Sequence, residues 1–138
     1  MDAFDADVLI YAAVPGHPLG GPVLALFPDD PPDDADSFAG VGSTLLLPEV
    51  LAKPTRDGRR EELATLAALL GRLELRPLDR ATATLAVSLG ASYRLRSADA
   101  VHLATAVVAG ADRFVTNNHR DFAPSIKEIA VTYPTGLR

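Results

Sequence analysis

Ser97-Ala98-Asp99-Ala100-Val101-His102-Leu103-Ala104-Thr105-Ala106 leads through Gly110 into Arg113-Phe114-Val115-Thr116-Asn117-Asn118-His119-Arg120-Asp121-Phe122. Serine is a favoured N-cap and glycine a favoured helix stop, so Ser97 and Gly110 predict a helix over residues 98–109. The short apolar run 113–116 predicts a buried strand, and the asparagines after it predict a turn. Helix, buried strand and polar turn in succession are the alternation of an α/β protein, with helices packed on a mainly parallel sheet.

The same alternation runs upstream. Residues 3–5 predict a first strand ending at an acid, and residues 6–14 a helix stopped by Pro15 and Gly16. Residues 21–27 predict a helical turn or two. Residues 38–53 admit two readings. Either Ser43 caps a helix with Pro48 in its second turn, or 41–46 is extended and Pro48 takes the first helical position. Both put Glu49 on a helix near its start, with Pro54 just beyond its end. Residues 59–70 predict an amphipathic helix with Leu63, Leu66, Ala67 and Leu70 on one face. Leu73, Leu75 and Leu78 follow as a strand, Asp79 caps a helix over 81–93, and 129–133 form the last strand.

A chain of 138 residues suits one domain with a single core. No apolar run approaches bilayer length, and the N-terminus lacks the basic segment of a signal peptide. Cysteine is absent, which excludes disulfides and thiolate metal sites and makes the cytoplasm the expected compartment. A net charge of −5 argues against a protein that coats nucleic acid by charge alone. It does not exclude a nuclease, because metal ions in a carboxylate site reverse the local field. Much of the acidity lies in residues 28–36, Pro28-Asp29-Asp30-Pro31-Pro32-Asp33-Asp34-Ala35-Asp36, which read as a flexible solvated loop.

Asp5, Glu49, Asp99 and Asp121 each stand in a short apolar context. Burying a carboxylate is costly unless something compensates it. A hard divalent cation such as Mg²⁺ does so, since it takes oxygen ligands and accepts several carboxylates. In open parallel sheets ligands bind beyond the carboxyl ends of the strands. Asp5 ends one strand, Asp121 follows another, and Asp99 lies in a first helical turn, where the dipole favours it. The four acids can therefore converge on one sheet edge, which points to metal-assisted phosphodiester hydrolysis. Each alone has a plainer explanation: Asp5 as a cap, Asp99 as a dipole partner, Asp121 as a turn residue. Glu49, inside an apolar helical stretch, has no such duty. His102 reads as a core residue, His119 and Arg120 as solvated turn residues, and Arg56, Arg59 and Arg60 as a solvated helix start.

Phe4-Asp5-Ala6-Asp7-Val8-Leu9-Ile10-Tyr11-Ala12 resembles the opening motif of the PIN-domain nucleases, and among them of the VapC-type toxins of prokaryotic toxin–antitoxin pairs. Ser43-Thr44-Leu45-Leu46-Leu47-Pro48-Glu49-Val50-Leu51 is similar to the second motif, Leu95 through Ala106 to the third, and Val115 through Phe122 to the fourth. The resemblance spans nearly the whole chain. It implies a single PIN-like domain over residues 1–138, a three-layer α/β/α sandwich with a mainly parallel central sheet.

The implied activity is that of a Mg²⁺- or Mn²⁺-dependent endoribonuclease hydrolysing RNA phosphodiester bonds. Asp5, Glu49, Asp99 and Asp121 fall on the family's acids. Asp5 and Asp99 are the implied main metal ligands, Glu49 completes the shell, and Asp121 serves a second metal or its water. Thr116 and Asn118 would position substrate or water. The resemblance further implies a homodimer, a cognate antitoxin and no membrane association. Two positions depart from the pattern: Asp7 stands where the family usually has Asn, and Asn118 stands where some members have Asp. One rival reading is a catalytically silent PIN-fold module that binds RNA or protein. Another is a haloacid-dehalogenase-type phosphatase, prompted by Asp5-Ala6-Asp7. That chemistry needs a lysine near the phosphate, and Lys53 and Lys127 are in no suitable motif.

Overall fold

The structure is a computed structural model that describes residues 1–27 and 37–137, so the expected acidic loop 28–36 lies outside the described residues. Among the described residues five strands form one sheet: β1 (Asp2–Phe4), β2 (Gly40–Ser43), β3 (Leu73–Arg76), β4 (Arg113–Val115) and β5 (Ala130–Thr132). The helices are α1 (Ala6–Ala12), α2 (Gly20–Leu24), α3 (Leu46–Arg56), α4 (Arg60–Gly71), α5 (Arg80–Tyr93) and α6 (Ser97–Val108), with a 3-10 turn at Pro134–Gly136.

Strand order is β3-β2-β1-β4-β5, and every pairing is parallel. The expected α/β/α sandwich is therefore the observed fold, with a wholly parallel sheet. Successive strand residues face opposite sides. Phe4 and Val115 pack with α1, α2, α3 and α4, whereas Ala3, Val41 and Phe114 pack with α5 and α6. Chain progression runs outward from β1 through β2 to β3, then restarts on the other side at β4. That reversal opens a crevice beyond the ends of β1 and β4, the usual ligand position in such sheets.

Local chemistry explains the framework. A helix apolar on all sides is a buried one, and α6 is buried without interruption from Ala100 to Ala106. Gly110 then ends the segment with φ +71, a conformation that glycine adopts without steric penalty. In β2 a Cβ on Gly40 would stand 2.4 Å from the Asp2 carbonyl oxygen and 2.7 Å from the Phe4 ring. Only a residue without a side chain lets β1 and β2 approach so closely.

Several expected boundaries shift. Ser97 is the first residue of α6 rather than its cap; Arg96 holds the cap position with no side-chain bond. Pro54 lies inside α3, not beyond it. Pro54 stands in the last turn, where its missing N–H forgoes one bond near the helix end, and its ring is buried. Pro48 occupies the third helical position, where its missing N–H has no intrahelical partner to lose. The buried stripe of α4 is Leu66, Leu69 and Leu70, while Ala67 is exposed. Among the described residues, no helix is long and apolar enough to cross a membrane.

Candidate active site

Asp5 follows β1 directly, and its N–H donates to the Val115 carbonyl at 3.0 Å, which pins it beside β4. It caps α1: Oδ1 accepts from the Ala6 N–H at 2.8 Å. The capping explanation is correct but incomplete, because Oδ2 accepts from the Thr116 hydroxyl at 2.8 Å and the residue is only 6% exposed. Burial pushes its carboxyl above the usual range, against the pull of His102 and of these hydrogen bonds. Two donors leave each oxygen a lone pair for another partner.

The turn after β4 brings up the next groups. The Asn118 N–H donates to the Thr116 hydroxyl at 3.1 Å, and the Asn118 amide donates to Asp121 Oδ2 at 2.9 Å. The Asp121 N–H returns a bond to the Asn118 side-chain oxygen at 3.2 Å. Phe122, buried and edge-on to Phe114 at 4.9 Å, anchors this turn to the sheet. Thr116 and Asn118 thus link Asp5 to Asp121 through direct bonds.

Asp99, in the first turn of α6, is half-buried, and among the described residues no donor bonds its carboxylate. Desolvation raises it first, and the charges of Asp5, Asp121 and Glu49 raise it further, against His102. Glu49 comes from the first turn of α3, on the other flank of β1. Both its oxygens lie 3.1 Å from His102 Nε2. The four acids of the sequence motifs therefore share one electrostatic field beyond the strand ends.

Two further groups belong to this site. His102 is buried, as its sequence context predicts, yet its partner is one of the acids. Burial alone would lower it; the bond to Glu49 and the charges of Asp5, Glu49 and Asp99 outweigh that and hold it above the usual histidine range. Among the described residues its Nδ1 is buried without a partner, and in either charge state a proton on Nε2 is what the contact with the Glu49 carboxylate requires. Asp7 accepts from the Val8 N–H at 2.7 Å and from the Asn117 N–H at 3.0 Å. Burial, then the nearby charge of Asp5, pushes its carboxyl up to about 6. The one-turn spacing from Asp99 to His102 was the available sequence signal for the first. Nothing local reveals that the Asn117 backbone will close on Asp7.

Among the described residues, no three carboxylate or imidazole groups are disposed as a ready coordination shell. The donor chemistry nevertheless fits a hard divalent cation. All four motif acids offer oxygen, and their mutual repulsion is what such a cation relieves. Mg²⁺ needs only one or two carboxylates because it keeps much of its water. A cleft of about 180 Å³ reaches Glu49 along Ile10, Lys53 and Arg59. A larger one of about 470 Å³, between the end of α1 and the start of α4, contains none of the four acids. The site follows the chemistry, not the larger cavity.

Five parallel strands, helices on both faces and acids gathered at the topological switch point define a class of α/β domain with an anionic site at its sheet edge. Residues 3–124 match the PIN domain family, and the chain belongs to that family. Among solved structures, a toxin–antitoxin complex from Klebsiella pneumoniae is similar, with a TM-score of 0.75 and 25% sequence identity over 97% of this chain and 98% of that one. None of the curated proteins matches the chain.

Proposed function

We propose that the protein is a metal-dependent endoribonuclease, the toxin of a VapC-type toxin–antitoxin pair. One observation carries this reading: Asp5, Asp99, Asp121 and Glu49 come from four separated segments, yet the first, third and fourth lie close enough for their charges to act on Asp99. Stability gives no reason to collect like charges at a sheet edge, whereas a cationic cofactor does. Membership of the PIN family and the likeness to a toxin–antitoxin complex support the same conclusion. They leave the phosphatase reading without support.

Asp5 and Asp99 would hold the metal, with Glu49 and Asp121 completing the shell directly or through water. When bound, a divalent ion lowers the pKa of water and polarises the scissile phosphate. The chain's own residues do the positioning. Thr116 orients Asp5, Asn118 orients Asp121, and His102 orients Glu49. The partners that follow from the reading are an RNA substrate, a cognate antitoxin and a second copy of the chain, all in the cytoplasm.

The test is digestion of total RNA by purified protein with Mg²⁺ or Mn²⁺ and with EDTA, beside Asp5→Asn and Asp99→Asn. Cuts that need the metal and vanish in both variants are the expected result. A folded, partner-free protein that cuts nothing would move the reading to a PIN-fold binding module.

A further inference from the structure

His119 and Tyr133 stand together at the rim of the site. His119 lies in the turn after β4 and Tyr133 directly follows β5, so both project from the carboxyl edge of the sheet. Their rings are stacked, 3.7 Å between centroids and 21° between planes. The Tyr133 hydroxyl donates to the Phe122 carbonyl at 2.6 Å, and His119 Nε2 lies 3.1 Å from the Asn117 side-chain oxygen. The Asn117 N–H in turn donates to Asp7. An exposed imidazole is thus held by a ring beneath it and a bond at its edge, two residues from Asp121 and within the turn that carries Asn118.

From this geometry we infer that His119 is a nucleobase-stacking subsite, which receives an unpaired base beside the phosphate addressed by the acids. The inference rests on the RNA reading above and deepens it. With Nε2 at Asn117 and one face on Tyr133, what this exposed ring has left to offer is its other face. A face is what a base needs, and every base has one, so the contact tolerates sequence while requiring an unstacked strand. Two contacts already hold the ring, which reduces the entropy lost on binding. Tyr133 widens the stack and fixes its tilt.

The experiment measures KM and kcat for a short, fluorescein-labelled, single-stranded RNA in Mg²⁺, using wild type, His119→Ala, His119→Phe and His119→Leu. Base–aromatic stacking corresponds to roughly a 5- to 140-fold loss of affinity on truncation. The expected result is a KM rise of about that size in the alanine and leucine variants, with kcat changed far less. His119→Phe, which has a face but no charge or donor, should stay within a fewfold of wild type. Thermal melting of each variant accompanies the kinetics. Should the alanine variant melt early, the Phe-versus-Leu comparison decides alone. Unchanged KM in both truncations, or a phenylalanine variant as weak as leucine, overturns the subsite and leaves the nuclease standing. A wild type that cuts no RNA takes both down together.

Discussion

Asp7 shows how far a single carboxylate is governed by its neighbours. Its folded pKa of about 6 lies above the unfolded value of 3.8. The folded state therefore holds the proton more tightly, and between those values stability falls as pH rises. Asp7→Asn, which keeps an acceptor for the Asn117 N–H, should raise the melting temperature in metal-free buffer at pH 8. That gain should shrink as pH drops through 6 towards 4. Equal gains at both ends would remove the electrostatic explanation. His102 acts on Glu49 rather than on substrate. Loss of such an outer partner typically costs about 10–100-fold in metal affinity or activity. His102→Leu is expected to lose that much in both cleavage and divalent-ion affinity by calorimetry, while His102→Gln, whose amide can replace Nε2–H, is expected to retain most of each. Equivalent behaviour of the two variants would reduce His102 to packing.

The same dependence on close approach governs the elements. Strand β2 can lie against β1 only because Gly40 has no side chain, with the Asp2 backbone 2.4 Å from where a Cβ would be. A backbone oxygen does not yield as a flexible side chain does. Gly40→Ala should cost about 1–3 kcal/mol or more in urea unfolding, through overpacking at the β1–β2 seam. Because β1 carries Asp5, its RNA cleavage should fall as well; a neutral alanine would mean the seam is looser than its geometry implies. Ser43 and Pro48 each offered a helix start in sequence, which is why this strand was ambiguous. Helix α6 was the opposite case. Its apolar run, Ser97 and Gly110 announced it, although the cap fell one residue early.

Charge organises the whole molecule. Asp5, Asp7, Glu49, Asp99 and Asp121 approach one another from both sides of β1, and burial first, then this mutual repulsion, raises the carboxyls of Asp5, Asp7 and Asp99. A ligand that binds only the folded state stabilises it by mass action. Mg²⁺ or Mn²⁺ should therefore raise the melting temperature of wild type. The combined Asp5→Asn, Asp99→Asn variant should melt higher than wild type in EDTA and gain little from metal. Metal-induced stabilisation that survives in that variant would place the cation elsewhere. At this scale too, the toxin reading proposed above predicts that expression of the protein is toxic and that a co-expressed antitoxin partner suppresses it; toxicity that persists with every neighbouring small protein supplied removes that reading.

Sequence alone determined the alternation of helices and strands and the class of the sheet, and it singled out the four acids proposed here as the site. Those signals are local: caps, stops, apolar period and acids set in apolar runs, each legible within about a dozen residues. Only the tertiary structure decided the rest. The order β3-β2-β1-β4-β5 put Asp5 between the segments bearing Glu49 and Asp121. Folding also closed His102 on Glu49, 53 positions away, and Asn117 on Asp7, 110 positions away. No local propensity encodes such partners. They meet because parallel strands, all pointing one way, deliver their following turns to the same edge.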